Sequence, residues 1–501
     1  MEDKAVVTEL ASRLTGVAVL SNEINDSDIN SYNIEELYSK IVSHFQGAEG
    51  LNILDKKVIL ELMSFSENKK PEIVEVTQPL TFKPIAKEYD AQYKIKVTRV
   101  EKTGNTIEDF SSYFKDRFKK LRDILNTRAN LGKIINSDKI SEYINGKEIT
   151  VVGIVNNKFI TKKGNLMINA EDEEGPLSII FTKPDRNTRK ENIELFESAK
   201  KIINDEVIAV KGNISNSFII GKALLFPDVT IRVRKKTEED LAIAFTSDTH
   251  VGSKLFLEKE FLRFIEWLNG NVNYRKDLAE KIKYVVFGGD IVDGIGVYPG
   301  QDKELSISDI YKQYAAFFRY AEMIPDYIKV FIIPGNHDAV QRADPQPKLS
   351  DDLIQDFKRE NVNFLTSPSY LNINGLNVLT YHGNSLDSVI HNIVGCSYVK
   401  PEIAMTEILK RRHLSPIYGE NPINPGRTDP LVIQEEPDIL HMGHVHKNGK
   451  VEYHGTQIIN SGTWQARTNY QLKLGHVPSP TILPVYETKK GSVQELNFGG
   501  L

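Results

Sequence analysis

Cysteine is almost absent from this sequence, since Cys396 is the single one among 501 residues. One thiol cannot form a disulfide within the chain, and it excludes zinc sites and redox motifs that need paired cysteines. The near-absence of cysteine therefore favours a protein that works in a reducing, intracellular setting.

Long apolar runs are also lacking. No stretch approaches the roughly 18 apolar residues that a membrane-spanning helix needs, and residues 1–4 are too acidic to begin a secretory signal. A net charge of -5, against 63 basic and 68 acidic residues, excludes binding of nucleic acid through overall charge. We expect a cytoplasmic protein with no membrane partner, in which any nucleic-acid surface is a local patch.

The length predicts roughly three domains. Apolar residues recur at helical spacing near the N-terminus, which predicts a small helical domain over residues 1–75. Residues 68–87 are rich in lysine and glutamate and contain three prolines, so we assign residues 76–105 to a linker. From residue 237 to the end the pattern changes again and indicates a third, larger domain.

Alternating apolar residues characterise the middle of the chain. Five strand-like segments, separated by turn residues and carrying a polar helical insert, predict a Greek-key barrel of the OB type. An amphipathic helix leads into it, so this domain spans residues 106–236. OB barrels often bind single strands through stacking aromatics. A docking or spacer role stays equally open here, because the aromatic residues of the strands are few, chiefly Phe159, Phe181 and Phe218.

Apolar runs of four to six residues in the last domain each end at a polar cluster, and helical segments lie between them. Buried strands that alternate with helices predict a layered α/β domain over residues 237–501. Ligands in such domains bind at the carboxyl ends of strands. Five clusters rich in Asp, Asn and His fall at these ends: residues 248–250, 289–290, 335–338, 381–383 and 443–446.

These clusters contain the ligand types that a pair of divalent ions needs. Imidazole nitrogens with carboxylate and amide oxygens suit Mn, Fe, Zn or Ni better than Mg. The spacing of Asp248 and His250 lets both reach one ion, and His444 and His446 can each serve a different ion. Asp290 is the natural shared carboxylate. The predicted metal ligands are Asp248, His250, Asp290, Asn336, His382, His444 and His446.

This ligand set makes hydrolysis of a phosphate ester the leading hypothesis. Two ions about 3.5 to 4 Å apart would activate a water and clamp the attacking and leaving oxygens. His337 directly follows Asn336, so its side chain should point away from the metals. It is the predicted catalytic acid or transition-state stabiliser, with Asp338 as a candidate to fix its tautomer. Glycines beside the ligands allow sharp turns and close approach of a phosphate.

Single members of the set have ordinary explanations. A lone histidine at a strand end is usually a satisfied polar residue, and Asn336 alone is a common turn former. A domain that keeps its ligands but serves as a scaffold is a second alternative. Outside the set, Asp293 either supports the shared carboxylate or caps a helix. His441 and His454 are expected to be supporting or structural residues.

The pattern DxH, GDxxD, GNHD, a single histidine after a strand, then GHxH resembles the calcineurin-like metallophosphoesterase superfamily, which includes the Mre11 nucleases. The resemblance covers residues 242–463, and every ligand position is matched. The layout of helical unit, barrel and phosphoesterase is similar to the small-subunit family of the archaeal family D DNA polymerases. Residues 247–253, 298–301 and 461–465 strengthen that match. The fold class is therefore multidomain α/β: an N-terminal helical unit, an OB-type β-barrel and a layered two-sheet metallophosphoesterase domain.

The resemblance implies a proofreading 3′-to-5′ DNA exonuclease that forms a heterodimer with a large polymerase subunit, acts on a single-stranded primer end, and meets a sliding clamp through the complex. Manganese is the implied metal. The resemblance places Asp248, His250 and His446 on one ion, with Asp290 shared. It places the second ion on Asn336, His382 and His444, and gives the acid role to His337.

Two other functions stay open from the sequence. One is a stand-alone nuclease of the Mre11 type, although such chains normally begin with the phosphoesterase domain. The other is a non-catalytic assembly subunit of a polymerase. For the segment 385–430, rich in Pro, Arg and Gly, we hypothesise that Arg411, Arg412 and Arg427 hold DNA phosphates, with a solvated face as the commoner fate of such charges.

Overall fold

The computed structural model describes residues 82–101, 106–128, 131–473 and 475–500, with a few positions before residue 82. The chain forms two compact units, Met1–Thr81 and Phe82–Leu501. In the first unit, β1 (Val19–Leu20) pairs in parallel with β2 (Ile53–Leu54). Leu37 and Ile41 are helical and buried. The predicted helical domain at residues 1–75 otherwise lies outside the described residues.

The predicted linker is in part a strand. Residues 85–88 form a short 3₁₀ helix, and β3 (Tyr93–Val97) pairs antiparallel with a strand of the C-terminal domain. The Cα partners run from Tyr93 opposite Ile373 to Val97 opposite Ser369. Residues 82–97 therefore belong to the C-terminal domain, and the assignment of all of 76–105 to a linker is corrected here.

A long amphipathic helix, α1 (Ile107–Asn126), precedes the barrel as predicted. It begins with a capping box, in which the Thr106 hydroxyl accepts from the Asp109 backbone N–H and the Asp109 carboxylate accepts from the Thr106 N–H. Its buried face includes Phe118, Leu121 and Leu125, which pack on the outside of the barrel. The helix thus joins the barrel to the C-terminal domain.

Five strands close into a barrel in the order β4-β5-β6-β8-β7. They are β4 (Glu148–Ile160), β5 (Leu166–Glu171), β6 (Pro176–Phe181), β7 (Val207–Ser215) and β8 (Phe218–Leu225). Helix α2 (Lys190–Lys200) lies between the third and fourth strands, where the polar insert was predicted. This is the predicted OB-type barrel. Phe181 lies in its core, whereas Phe159 and Phe218 are exposed.

The C-terminal domain contains two six-stranded sheets. After residue 240 the described strands are β9 (Ala242–Thr246), β10 (Ile282–Gly288), β11 (Lys329–Ile333), β12 (Val362–Phe364), β13 (Ser369–Ile373), β14 (Leu376–Thr380), β15 (Ile439–Met442), β16 (Asn448–Tyr453), β17 (Thr456–Ser461), β18 (Ile482–Glu487) and β19 (Ser492–Asn497). One sheet has the order β12-β11-β10-β9-β18-β19, and the other has the order β16-β17-β15-β14-β13-β3.

Helices cover both outer faces of this pair of sheets. They are α3 (Glu258–Leu268), α4 (Lys276–Ala279), α5 (Ile310–Glu322), α6 (Asp351–Ile354), α7 (Leu386–Asn392), α8 (Pro401–Arg411) and α9 (Asn469–Lys473). Apolar side chains of the two sheets, such as Phe245 and Ile459, meet in a central core. Helices α3 and α5 pack on one sheet, and α7 and α8 on the other. The result is the predicted layered two-sheet domain.

No described helix has both the length and the apolar content that crossing a membrane requires.

Candidate metal centre

The five predicted clusters converge at the carboxyl ends of strands from both sheets. Asp248, Asp290 and Asn336 follow β9, β10 and β11, which are parallel neighbours in one sheet. His382 and His444 follow β14 and β15, which are parallel neighbours in the other. Because the carboxyl ends of parallel strands share an edge, chain segments distant in sequence meet at one site.

The backbone turns sharply at this site. Asp248, His250, Asp290, His444 and His446 all have left-handed φ angles, between 49° and 69°. Non-glycine residues adopt this region rarely and at an energetic cost, and they do so mostly at functional sites. Each turn lets the strand end and aims the next side chain into the gap between the sheets.

Glycine is required at two of the closest approaches. A Cβ atom at Gly335 would lie 2.2 Å from Asp290 Oδ1, and one at Gly443 would lie 2.3 Å from Asp248 Oδ2. Both distances are far below van der Waals contact, so any larger residue would displace a carboxylate of the cluster.

One half of the cluster is formed by Asp248, His250 and His446. His446 Nε2 lies 3.3 Å from Asp248 Oδ1 and 3.0 Å from His250 Nε2. His250 Nε2 lies 3.8 Å from Asp290 Oδ2. These three residues form one of the groups of side chains whose ligand atoms lie close enough to hold an ion.

The other half is formed by Asn336, His382 and His444. Asn336 Oδ1 lies 3.0 Å from His382 Nε2 and 3.0 Å from His444 Nδ1. His382 Nε2 lies 3.3 Å from Asp290 Oδ2. The same oxygen of Asp290 therefore faces both halves, as a shared ligand must.

In three histidines of the cluster, the ring nitrogen that faces away from the cluster lies within hydrogen-bond distance of an acceptor oxygen. His250 Nδ1 lies 3.0 Å from the Asp293 carboxylate, His382 Nδ1 lies 2.8 Å from the Gly288 carbonyl oxygen, and His444 Nε2 lies 3.1 Å from the Asp387 carboxylate. An acceptor at one nitrogen keeps the proton there and leaves the lone pair of the other free for a metal. All three lone pairs then point into the cluster.

The cluster brings buried carboxylate oxygens and ring nitrogens close together, which fits a cation. Asp248 Oδ1 is buried and lies 3.3 Å from His446 Nε2 and 4.0 Å from His250 Nε2. Burial alone would lower the pKa of His382, but Asp290 and Asp248 raise it to about 10. Burial would raise the pKa of Asp290, yet His382, His337 and His250 hold it well below its usual range. The side chains thus stabilise positive charge at their centre, and the N/O donor set suits divalent transition metals.

His337 lies at the edge of the cluster, where its ring forms a further group with His250 and Asp293 whose ligand atoms lie close together. Its backbone N–H donates to Asp290 Oδ1 at 2.8 Å, and its Nδ1 lies 2.7 Å from the Asp293 carbonyl oxygen. The His337 ring packs edge-on against His250, with ring centroids 4.6 Å apart. Burial lowers the pKa of His337, so the ring is neutral at neutral pH. Its Nδ1 then carries the proton that the carbonyl accepts.

Two supporting roles differ from those predicted. Asp338 does not contact the His337 ring. Its carboxylate accepts from the backbone N–H groups of Gly335 and Ile291 and from Tyr314, so it fixes the loop. Asp293 orients His250 rather than the shared Asp290. Asp293 in turn accepts hydrogen bonds from the side-chain amides of Gln301 and Gln465, both of which belong to the stretches named in the resemblance.

The remaining histidines occupy varied surroundings. His441 is buried beneath the cluster, where burial lowers its pKa to about 3, and its Nε2 lies 3.0 Å from Ser461 Oγ. Ser461 contacts Ser247, whose hydroxyl donates to Asp248. His441 therefore supports the site from behind, as expected. His454 contacts residues outside the cluster: its Nδ1 is 3.2 Å from the Val229 carbonyl oxygen, and its ring stacks on Tyr453.

A cleft of about 860 Å³ opens above the cluster. Its floor includes the side chains of Asp290, Asn336 and His337, and its walls include residues of the segments 390–399 and 465–476. Asp290, residues of both halves of the cluster and His337 therefore line one and the same cleft.

Relatives of this chain were found over nearly its whole length. The DNA polymerase II small subunit of Archaeoglobus fulgidus is 40% identical over 477 residues, which cover 93% of this chain and 92% of the relative. This chain belongs to the family of DNA polymerase II small subunits. The family member from Methanocaldococcus jannaschii is 40% identical (81% of this chain, 68% of the relative), and that from Pyrococcus furiosus is 34% identical (95% and 81%). The profile of the family "Calcineurin-like phosphoesterase" matches residues 241–448.

Family membership and the matched profile confirm the resemblance inferred from the motifs. All eight predicted site residues lie in one cluster, within the matched region. Sequence reasoning missed Asp387, which orients His444, and Gln471, whose amide lies 2.8 Å from His446 Nδ1. Neither belongs to a cluster at a strand end, since they lie on α7 and α9, so no local pattern marked them.

The hypothesis that Arg411 and Arg412 hold DNA is wrong. Arg411 is 1% exposed and forms ion pairs with Glu206 and Glu407, while Arg412 is 2% exposed and pairs with Glu436. The segment 385–430 contains helices α7 and α8, and the turn after α8 buries both guanidinium groups against the barrel and the loop before β15. Arg427 is exposed, and its role stays a prediction.

Proposed function

We propose that this chain is the 3′-to-5′ exonuclease of a heterodimeric DNA polymerase. It would hydrolyse the phosphodiester at a single-stranded primer end, in the cytoplasm, as the partner of a large polymerase subunit that also brings it to a sliding clamp. The observation that carries the proposal is the buried cluster of aspartate, asparagine and histidine ligand atoms at the base of an open cleft, in a chain of the polymerase small-subunit family.

The cluster would hold two divalent ions, with manganese as the expected metal. Asp248, His250 and His446 would hold one, and Asn336, His382 and His444 the other. Asp290 is shared, because its Oδ2 faces a histidine of each half. Ions bound there would polarise the phosphoryl group and ease deprotonation of the attacking water.

His337 would protonate the leaving-group oxygen. Because its Nδ1 proton is held by the Asp293 carbonyl, a neutral ring has only a lone pair at Nε2. Donation therefore requires the imidazolium form, which the negative charge of a bound phosphodiester favours. Asp293 holds His337 through its carbonyl and His250 through its carboxylate, so one residue aligns the acid with a ligand.

The decisive experiment is nucleotide release from single-stranded DNA by the full chain in Mn²⁺. Oligonucleotides labelled at either the 5′ or the 3′ end distinguish the two directions of digestion. Asp290→Ala and His444→Ala should abolish release, whereas Asp351→Ala, an exposed carboxylate on α6, should not. Wild-type inactivity on every end would contradict the proposal and favour the non-catalytic assembly subunit.

Purification of the native complex tests the partner. A large polymerase chain that co-purifies at equal stoichiometry supports the heterodimer. Recovery of an active chain without any polymerase chain would instead favour a stand-alone nuclease of the Mre11 type.

A further inference from the structure

Aromatic side chains form a row that leads from the metal cluster to the rim of the cleft. The ring centroid of Tyr298 lies 6.2 Å from that of His337, and the centroid of Tyr470 lies 6.5 Å from that of Tyr298. The planes of the two tyrosine rings are 23° from parallel. The row therefore begins at the predicted acid and ends at the surface.

The two tyrosines differ in how they are held. The Tyr298 hydroxyl donates to Glu304 at 2.8 Å, which fixes a half-buried ring against the wall of the cleft. Tyr470 lies on α9 and is 62% exposed. An exposed tyrosine face at the mouth of a polar cleft is available to a flat ligand.

Away from the proposed metal ions, the walls of the cleft offer little positive charge to a polyanion. Among the residues that the structure describes, those lining the cleft include no lysine or arginine. Exposed apolar side chains lie there instead: Val399 lines the cleft, and Leu472 is exposed on the same helix as Tyr470. Exposed apolar residues concentrated around a polar site mark a binding surface.

These observations favour recognition of bases rather than of phosphates. Every nucleobase has a π-face, so stacking on aromatic side chains binds single strands without regard to sequence. The rings of Tyr298 and Tyr470 are nearly parallel, with centroids 6.5 Å apart, and the 62% exposure of Tyr470 leaves a ring face on which a base can stack.

We propose that Tyr298 and Tyr470 form a stacking platform that holds an unpaired base near the 3′ end of a single strand. The proposal rests on the proposed nuclease function and names its substrate class. A base that is paired in a duplex remains stacked on its neighbours and does not reach the platform. Tyr298 and Tyr470 would thus select frayed or mismatched ends without contacting a base edge.

Binding measurements with the full chain test the platform. The probes are a labelled 12-nucleotide single strand and the same strand with abasic sites at its last two 3′ positions, with Ca²⁺ replacing Mn²⁺ to slow hydrolysis. Tyr470→Ala should weaken binding of the normal strand about 5- to 150-fold, the value of one base–aromatic stack. Tyr470→Phe should bind like the wild type. Tyr311→Ala, a 57% exposed tyrosine on α5, is the matched control.

The abasic strand separates stacking from a general loss of binding. If the platform holds a base, the abasic strand binds wild type and Tyr470→Ala with equal, reduced affinity. An equal fold loss on both strands, or a Tyr470→Ala affinity within two-fold of wild type on the normal strand, would overturn the proposal. Failure of the nuclease function has a different signature, since the wild type would release no nucleotide in Mn²⁺ while the binding comparison still reports on Tyr470.

Discussion

Two buried clusters of histidine and aspartate in this molecule have opposite character. Where α1 meets the phosphoesterase domain, the Asp429 carboxylate lies 2.7 Å from Arg117 Nε and 2.8 Å from His413 Nε2, and it also accepts from the Leu431 N–H. In the predicted metal cluster, the Nε2 atoms of His250 and His446 face each other 3.0 Å apart, and Asp290 Oδ2 faces a histidine ring nitrogen of each half.

The backbone shows the same contrast. Five ligand residues of the metal cluster have left-handed φ angles, whereas Arg117, His413 and Asp429 do not. A cluster whose acceptors all meet donors stabilises the fold by itself. A buried cluster in which acceptor atoms face one another, held by residues with strained backbone, costs folding free energy unless a cation binds between the acceptors. The difference is the one expected between a site that is complete by itself and a site that a cation completes.

The largest effect is expected from Asp290→Ala. Because Asp290 Oδ2 faces both halves of the cluster, its loss should weaken both ions and lower turnover by at least about a thousand-fold, since the ions supply several kcal/mol. Metal analysis of the purified chain should find far fewer than two ions. His446→Ala, which removes a ligand of one half, should retain about one ion. An Asp290→Ala variant that keeps two ions would show that the carboxylate is not shared.

His337→Ala should lower turnover about 10²- to 10⁴-fold while leaving the metal content near two ions, since general acids contribute about that much. Proton donation requires the protonated ring, so the wild-type kcat/KM should fall as pH rises through the depressed pKa of His337. The variant should lack this limb. Loss of an ion in the variant would contradict the assignment, because the residue would then be a ligand.

Asp429→Ala should affect folding and spare the metal centre. Removal of the carboxylate leaves the Arg117 charge buried and unpaired, at a cost of about 3–5 kcal/mol in the free energy of unfolding. Denaturant titration measures the loss, and metal content of the folded fraction is the control. A variant as stable as the wild type would mean that the junction is not held by this ion pair.

The same junction predicts a pH dependence of stability. Burial lowers the pKa of His413, so protonation of the unfolded chain below about pH 6.5 should already reduce stability. Burial would raise the pKa of Asp429, but His413 and Arg117 hold it well below its usual range. Its contribution is present above about pH 4 and is lost as pH falls further. In the Asp429→Ala variant, the loss of stability below about pH 4 should be absent from the dependence of unfolding on pH.

The convergence of the candidate ligands could be predicted from the sequence because each follows an apolar run that forms a parallel strand. Their roles at a metal stay a prediction from the chemistry of Asp, Asn and His. Strand β3 could not be predicted from the sequence, because a short edge strand after a proline-rich stretch is recognisable only through its pairing with β13. The burial of Arg411 and Arg412 could not either, since it depends on α8 packing against the barrel. Local patterns identify elements, whereas partners distant in sequence decide which charges are covered.

Asp387→Asn should have the smallest effect, and it tests whether the contrast between the clusters extends beyond the ligands. Asp387 accepts hydrogen bonds from His444 Nε2 and from the Tyr398 hydroxyl. Burial would raise the pKa of Asp387, but His444 holds that pKa well below its usual range. An amide weakens the hold on the imidazole, so affinity for the second ion should fall about 10- to 100-fold. Titration of activity with Mn²⁺ measures the shift, with Asp351→Asn as control. An unchanged Mn²⁺ requirement would show that the cluster orients His444 without its outer carboxylate.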